Sequence, residues 1–580
     1  MTLLRTSETG RGLLLAVLVG VVSALGAVAF RWLINSFRVL FFGGGSQVLG
    51  FLGPYYVVLM PAAGGLLVGL LVYFFAREAR GHGVPEVMEA VALRGGRIRP
   101  RVAVVKALAS SICIGSGGSV GREGPIVQIG ASAASAIGQW LRLPDETVKT
   151  LVACGAAGGI SATFNAPIAG VLFALEVILG SMVTRRFAYV IISSVVADFL
   201  SQAFLGNKRA FAVPHFGMVS AWEFAFYVAL GILAALAALT FINVLYRAED
   251  LFSSLKTPEY LKPALGGLAV GCLGLYSHHL FGVGYEGITG ALSGEMVLES
   301  LVLLCLLKIL ATSLTIGSGG SGGVFAPSLF IGAMLGTALG TVVNGFFPSI
   351  TAPAGAYGIV GMAAVFSGAA RAPFSAILII FEMTRNYAII LPLMTAVVIS
   401  TVLTRALKRE TIYTLKLLRR GVDIEQEEVA DVMRTITVGE AMTRNVPVVP
   451  ATMRLEELLK LFQDTGYHGF PVVDEEGLLA GVVTQTDVRR FLGKRESELT
   501  VSDIATKSPF VVHPDQSLDW VLDAAEDEYG HIPVVSRDDG RRLVGLLQRH
   551  DIIRAYRNKV RKDRRSKKAS LGQLHGELGG

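Results

Sequence analysis

The sequence predicts an α-helical polytopic membrane protein with two repeated halves, followed by a smaller cytoplasmic α/β part. Its mean hydropathy is +0.56. Only 17% of its 580 residues are charged, which excludes an ordinary soluble enzyme of this size. A glycine-rich stretch that begins at Gly115 recurs almost unchanged at Gly317. After about Leu407, charged residues become frequent and apolar runs shrink to the length of strands.

Membrane-spanning helices are predicted from runs without acidic or basic residues. Residues 12–30 and 224–246 are such runs, and about 20 apolar residues suffice to cross a bilayer. Residues 12–30 could also form the apolar part of a signal peptide, but no small-residue cleavage site follows, so we expect a retained helix. Most other apolar runs are broken by Gly or Pro, which is typical of half-helices and re-entrant segments. The lysines and arginines in 403–421 place that end on the cytoplasmic side.

The two halves, at about 12–205 and 222–407, are predicted from two pairs of matching segments. KALASSICIGSGGSVGREGP, from Lys106, and KILATSLTIGSGGSGGVFAP, from Lys308, agree at 12 of 20 positions. Farther along each half, APIAGVLFALE ends in Glu176 and APFSAILIIFE ends in Glu382. Membrane transporters often carry such repeats and bind their substrate where broken helices meet. Glycines that only pack helices closely would not give two ordered loops that both end in Pro.

The two glycine loops predict an anion site. A helix that begins after such a loop leaves backbone N–H groups without partners, and its dipole favours an anion there. Phe325 in the second loop can form a wall of this site and exclude water. Glu123 in the first loop would compete with the anion when ionised and leave when protonated. An intramembrane glutamate at this position is therefore predicted to be a gate with a proton switch.

These motifs resemble the CLC family of chloride channels and chloride/proton exchangers over about Gly12–Arg420. GREGP at 121–125 matches the gating-glutamate motif of the family, and GVFAP at 323–327 matches its GxFxP motif. Tyr413 resembles the pore tyrosine that follows the last membrane helix. The resemblance implies a homodimer in the cell membrane, with one pore per subunit and halves of opposite orientation. It also implies that chloride or another small anion is transported and that Glu123 is the gate.

The resemblance further implies which groups bind the anion. Backbone amides of both loops would form an outer site, and two amides with the Tyr413 hydroxyl would form a central site. The amides implied for the outer site are those of Arg122, Glu123, Gly124, Phe325 and Ala326, and those for the central site are Val324 and Phe325.

One departure from the family pattern concerns the first anion loop. The family reads GSxxP, whereas this chain reads GHGVP from Gly81, with His82 where the pore serine would lie and Gly83 after it. Either His82 donates an N–H to the anion or narrows the inner pore, or it is a satisfied loop residue with its ring turned away. The preferred anion is therefore left open.

A second departure concerns proton coupling. Exchangers of the family commonly carry a proton-relaying Glu directly after the position of Glu176, but this chain has Val177, as the channels of the family do. Glu176 and Glu382 are then either structural caps of neighbouring N–H groups or proton relays. Val177 favours a gated chloride channel, and the alternative is a chloride/proton antiporter with another proton route.

The cytoplasmic part contains its own repeat. The segments 466–488 and 528–552 each contain Pro-Val-Val and read as strand, turn, strand and helix. They resemble a tandem pair of CBS domains, which pack as a pseudo-dimer and often bind adenine nucleotides (ATP, ADP or AMP). The predicted domains are the transmembrane part at 1–420, a linker at 421–433, CBS domains at 434–495 and 498–557, and a basic disordered tail at 558–580.

The resemblance to CBS domains also implies nucleotide-binding residues. Thr484 and Asp487 match the ribose-binding T-x-x-D pattern, whereas in the second unit Gln548 replaces Thr and only Asp551 remains. The pair therefore either senses adenine nucleotide or is purely structural or dimerising.

Other classes of function find little support in the sequence. No metal-ligand spacing, no phosphate loop with Lys and no hydrolase or transferase constellation occurs, so we expect neither an enzyme nor a required cofactor or metal. The net charge of +7 arises largely at 554–568, in a solvated cytoplasmic tail or a lipid-binding patch, and does not indicate nucleic-acid binding. A nucleotide sensor with a vestigial membrane part is a third hypothesis, but the intact glycine loops speak against it.

Overall fold

A computed structural model describes residues 8–180, 187–206, 217–423, 433–491, 499–525 and 530–559. The chain divides into two compact units, Met1–Asp423 and Ile424–Gly580. Most of the predicted linker, and all of the predicted tail after residue 559, lie outside the described residues.

The first unit consists of helices, as its apolar runs predict. Seven helices in the described ranges are long and apolar enough to cross a membrane, and several others are too short to do so. The α-helices are α1 (Glu8–Arg38), α2 (Gly45–Val48), α3 (Tyr56–Phe75), α4 (Val84–Leu93), α5 (Arg101–Gly115), α6 (Glu123–Trp140), α7 (Asp145–Phe164), α8 (Pro167–Phe173), α9 (Phe187–Leu205), α10 (Glu223–Ser254), α11 (Lys262–Gly274), α12 (Tyr285–Leu292), α13 (Leu298–Gly317), α14 (Phe325–Phe346), α15 (Ala354–Ala370), α16 (Pro373–Thr384), α17 (Ile390–Leu407) and α18 (Thr414–Leu418).

The two halves show the same order of elements. In each half a short helix, α4 or α12, precedes a long helix, a glycine loop and a tightly packed helix pair, α6–α7 or α14–α15. The backbones within each pair touch: a Cβ on Gly130 would lie 2.2 Å from the Gly155 carbonyl oxygen, and one on Gly332 would lie 2.2 Å from that of Gly361. Only glycine permits such an approach, so the same residue type sets helix packing in both halves.

Reciprocal carboxylate caps link the halves. The Glu176 carboxylate accepts hydrogen bonds from the N–H groups of Phe374 (3.2 Å) and Ser375 (2.8 Å) at the start of α16. In return, the Glu382 carboxylate accepts from the N–H groups of Ile168 (3.1 Å) and Ala169 (2.8 Å) at the start of α8. Because carboxylates favour helix N-termini, each half closes a broken helix of the other.

The second unit contains two small sheets. The strands β1 (Val449–Pro450), β2 (Gly469–Val473) and β3 (Leu479–Thr484) form one sheet, in which β1 is parallel and β3 antiparallel to β2. The strands β4 (His531–Val535) and β5 (Leu543–Gln548) form an antiparallel pair. In both sheets the pairing register shifts between the two valines of Pro-Val-Val. The shift lies between Val472 and Val473 in the first sheet and between Val534 and Val535 in the second. Helices in the described part of this unit include Val438–Ala441, Leu455–Thr465, Gln485–Phe491, Val501–Ile504 and Leu518–Ala524.

The two sequence repeats of this unit exchange their leading segments. The Thr443 N–H donates to the Leu546 carbonyl on β5 (2.9 Å), so the segment before the first repeat packs on the second. Thr506 exchanges backbone hydrogen bonds with Val482 on β3, at 2.9 and 3.1 Å, so the segment before the second repeat packs on the first. Each hydrophobic core therefore combines residues from both repeats, which a reading of the two as consecutive domains does not predict.

Candidate anion pathway

The two glycine loops of the membrane unit meet directly. The Gly121 N–H donates to the Gly323 carbonyl at 2.7 Å, and the Gly323 N–H donates to the Gly121 carbonyl at 2.6 Å. A left-handed glycine, with φ near +105°, precedes each contact at Gly117 and Gly319. The reciprocal bonds bring the N-termini of α6 and α14 together inside the membrane unit. Two positive helix ends thus face the same place, which favours an anion there.

A carboxylate already occupies this place. Glu123 is the first residue of α6, and its side chain is buried, with 1% of its surface exposed. Its Oε2 lies 3.4 Å from the Ala326 backbone nitrogen on α14, which donates to it, and its Oε1 accepts from the Tyr285 hydroxyl at 3.0 Å. The side chain therefore bridges the two helix N-termini as an anion would.

Apolar groups surround the second loop. Val324 is the residue before α14, and both Val324 and Phe325 are buried. The Phe325 ring lies 4.3 Å from the ring of Phe366 and 5.2 Å from that of Phe164, measured between centroids. This aromatic cluster places apolar surface beside the start of α14, and electrostatic interactions are stronger in apolar surroundings than in water.

The structure brings His82 and Tyr413 together. Both side chains are buried, with 2% of their surface exposed, and their ring centroids lie 5.9 Å apart. His82 Nδ1 is buried and has no hydrogen-bond partner among the described residues. The loop also approaches α6 closely, because a Cβ on Gly124 would lie 2.1 Å from the His82 carbonyl oxygen. Gly83, with φ of +85°, then turns the chain into α4.

Buried lysines hold equivalent loops in both halves, and our reading of the sequence missed them. Lys106 Nζ donates to the carbonyls of Ala79 (3.0 Å) and Gly81 (2.7 Å), before α4. Lys308 Nζ donates to the carbonyls of Leu280 (3.2 Å) and Gly282 (3.0 Å), before α12. A signal was present, because these two lysines are the first residues of the matching 20-residue segments.

Ion pairs fix the helices that follow the His82 and Tyr413 segments. Glu86 on α4 pairs with Lys416 on α18 (2.9 Å) and with Arg420 (3.1 Å), and the Glu86 and Lys416 side chains are each 8% exposed. A cavity of about 560 Å³ adjoins this cluster, and Glu86, Gln128 and several arginines are among the residues that line it. Because breaking a buried ion pair is costly, these pairs tie the segment that contains His82 to the segment that contains Tyr413.

The predicted coupling position is apolar. Val177 is buried in a π-helical turn, Ala174–Ile178, that directly follows α8. The neighbouring Glu176 carboxylate accepts hydrogen bonds from the start of α16, one of them from the Ser375 hydroxyl at 2.6 Å. Both Glu176 and Glu382 therefore make the capping contacts that one of the two sequence readings expects.

In the second unit, the predicted ribose-binding residues bond to each other. Asp487 Oδ2 accepts from the Thr484 N–H (2.9 Å) and hydroxyl (2.7 Å), at the start of helix Gln485–Phe491. Asp551 makes the equivalent bond with the Gln548 N–H at 3.1 Å. The Asp551 side chain is fully buried and also accepts from the Thr443 hydroxyl at 3.2 Å. Thr484 and Asp487, in contrast, are only partly buried.

Comparisons with known proteins agree with this architecture. The family described as voltage gated chloride channel matches residues 64–405, and the CBS domain family matches 438–494 and 501–558. A ClcB-like chloride channel protein of Ralstonia nicotianae is 35% identical over 418 residues, which is 71% of this chain and 97% of that protein. The voltage-gated ClC-type chloride channel ClcB of Escherichia coli (strain SMS-3-5) is 35% identical over 413 residues, 70% of this chain and 98% of that protein.

Solved structures share the fold. A slow cyanobacterial Cl−/H+ antiporter superposes with a TM-score of 0.64 at 27% identity and covers 71% of this chain and 98% of its own. A eukaryotic CLC transporter covers 93% of this chain and 98% of its own, with a TM-score of 0.61 at 23% identity. The predicted fold class is thus confirmed: the chain belongs to the voltage-gated chloride channel (CLC) family and carries a tandem pair of CBS domains.

Proposed function

We propose that this protein conducts chloride or another small anion passively through the pathway where α6 and α14 meet, and that Glu123 gates it. The observation that carries this proposal is the position of the Glu123 carboxylate, which accepts from Tyr285 on one side and from the Ala326 amide on the other. An ionised carboxylate excludes a transported anion from the helix ends by repulsion and by occupying their donors. A protonated carboxyl neither repels the anion nor binds the donors as strongly, so the anion can displace it.

The proposed ligands of the moving anion are those that the resemblance to the CLC family implies. At the outer site, the amides of Arg122, Glu123 and Gly124 at the start of α6 would act with those of Phe325 and Ala326. At the central site, the Val324 and Phe325 amides act with the Tyr413 hydroxyl. His82 supplies a further N–H donor, which is supported by its unpartnered Nδ1 beside Tyr413.

Chloride/proton antiport is the second candidate. It is favoured by the 27% identity to a cyanobacterial structure described as a Cl−/H+ antiporter. Against it stand Val177, which cannot carry a proton, and Glu176, whose carboxylate caps α16. We therefore expect chloride to flow without uphill proton movement.

The test uses purified protein in liposomes with a chloride gradient and no pH gradient, while chloride and internal pH are both recorded. Chloride flux without proton accumulation supports the channel. Sustained uphill proton pumping that Glu123→Gln abolishes would establish the antiporter. No anion flux at all would leave a nucleotide sensor with a vestigial membrane part.

We also propose a homodimer in the cell membrane, with the CBS pair and the tail on the cytoplasmic side. Adenine nucleotide is the proposed regulator, since Thr484 and Asp487 form a partly accessible hydroxyl–carboxylate pair at a helix start. The alternative is that the CBS pair serves assembly alone.

A further inference from the structure

Tyr285 contacts the proposed gate although it comes from the other half of the membrane unit. It is the first residue of α12, and its hydroxyl donates to Glu123 Oε1 at 3.0 Å. A hydrogen bond to an ionised carboxylate is stronger than one between neutral groups. Tyr285 therefore favours the ionised carboxylate in the position where it blocks the helix ends.

Side-chain contacts hold the loop before Tyr285 in place. Gly282 and Gly284 have φ of +55° and +83°, so the chain enters α12 through two left-handed residues. Lys308 donates to the Leu280 and Gly282 carbonyls of this loop, and its ammonium lies 4.9 Å from the centroid of the Phe330 ring. Because none of these contacts involves Glu123, we expect the loop to hold the Tyr285 hydroxyl in place independently of the carboxylate.

A cation adjoins the same tyrosine. The guanidinium carbon of Arg122 lies 5.3 Å from the centroid of the Tyr285 ring, and Arg122 Nη2 donates to the Thr163 carbonyl at 3.3 Å. The ring thus contacts the arginine that directly precedes Glu123 and, through its hydroxyl, Glu123 itself. A cation over the ring draws electron density from the phenol and makes its hydroxyl a better donor.

The first half has no equivalent hydroxyl. α4 begins with Val84 directly after Gly83, as α12 begins with Tyr285 directly after Gly284. The two loops share their left-handed glycines and their lysine, so the phenol is an addition to one half only. The carboxylate and its phenol donor occur once each, in opposite halves, and they contact each other.

We propose that Tyr285 is a positioning residue that holds the Glu123 carboxylate in the closed position and thereby sets the pH at which the pathway opens. This proposal rests on the proposed function, since it needs Glu123 to be the gate. Among the described residues, the charged or titratable groups that interact with Glu123 are Arg122 beside it, Tyr285 on α12 and Tyr413 before α18. Of these, only Tyr285 donates a side-chain hydrogen bond to it in the described ranges.

Tyr285→Phe tests the proposal, because it removes one oxygen and keeps the ring under Arg122. Without this donor the ionised carboxylate is less favoured, so the gate should protonate and open at higher pH. We expect the midpoint of chloride flux against pH in liposomes to rise by about one unit, and flux at neutral pH to rise about tenfold. Tyr227→Phe is the matched control, because Tyr227 also donates to a buried carboxylate, Glu223 Oε2, at 3.2 Å but on α10. It should leave the profile unchanged.

The same substitution in a Glu123→Ala background separates positioning from structure. With no carboxylate to hold, Tyr285→Phe should then change neither flux nor its pH dependence. An unaltered profile in the single variant, or an equal change in both backgrounds, would overturn the role of Tyr285. If Glu123→Ala by itself keeps the wild-type pH profile, the gate assignment has failed instead.

Discussion

Replacing Glu123 by Gln tests the proposed gate most directly, because the amide keeps the shape of the protonated carboxyl and has no charge. In the structure, which we take as the closed position of the proposed gate, the carboxylate accepts one hydrogen bond of ordinary length, from Tyr285 at 3.0 Å, and a long one from the Ala326 N–H at 3.4 Å. Hydrogen bonds to a charged group contribute about 1.5–3 kcal/mol and neutral ones about 0.5–1.5 kcal/mol. The long bond contributes only a fraction of a full hydrogen bond. The amide therefore stabilises the closed position by about 2 kcal/mol less than the ionised carboxylate does.

This loss corresponds to a flux about 30-fold higher at a pH where the native gate is ionised. Chloride efflux from liposomes, recorded with a chloride electrode between about pH 4.5 and 8, should be high and nearly flat in Glu123→Gln, because no proton is left to bind. Native protein should conduct well only at the acid end.

Glu223→Gln is the matched control for this substitution. Glu223 is also buried at the first position of a helix, α10, and accepts from one backbone N–H, that of Val219 at 2.8 Å, and from one tyrosine hydroxyl. It lies away from the paired glycine loops, so its loss should leave the pH profile as in the native protein. The reasoning is refuted if Glu123→Gln still switches steeply with pH, or if Glu223→Gln removes the switch equally well.

Two further predictions concern the inner pore and the CBS pair. His82→Ser should change the order of permeating anions measured by reversal potentials, since it replaces an imidazole beside Tyr413 with a small hydroxyl; an unchanged order would make His82 structural. Millimolar adenine nucleotide should bind the purified protein in calorimetry, and Asp487→Ala should weaken binding about tenfold, more than Asp551→Ala does, because Asp551 is fully buried. Absence of any binding heat would leave the CBS pair an assembly module.

The meeting of the two glycine loops was predictable, whereas the contacts of Glu123 were not. The 12 shared positions of the repeat indicated two similar helix starts, and the structure pairs them through Gly121 and Gly323. Tyr285 escaped notice because its loop, GVGYE, shares little more than two glycines with GHGVP. Its contact with Glu123 is set by tertiary packing between residues 162 positions apart, which no local pattern encodes.

The CBS pair illustrates the same limit. The strands followed from Pro-Val-Val and the turns after it, because alternation and turn residues are local signals. The exchange of leading segments could not be predicted from local signals. The hydrogen bond from Thr443 to Leu546 joins two different repeats, and the sequence predicts the same fold for each of them. Whether a leading segment packs on its own repeat or on the other one depends on how well the side chains fit in the assembled cores.

There is a physical reason why only one of the two glycine loops carries a carboxylate, with Glu123 in the first loop and Phe325 at the matching position of the second. Gly121 and Gly323 bond to each other in both directions, so the first residues of α6 and α14 start from adjacent points. Two carboxylates placed there would repel each other, and one of them would keep a proton over most of the pH range, as in other close carboxylate pairs. Opening would then depend on two coupled protonations. At the second position Phe325 packs against Phe164 and Phe366 instead, so under the proposed function a single protonation, that of Glu123, would control opening.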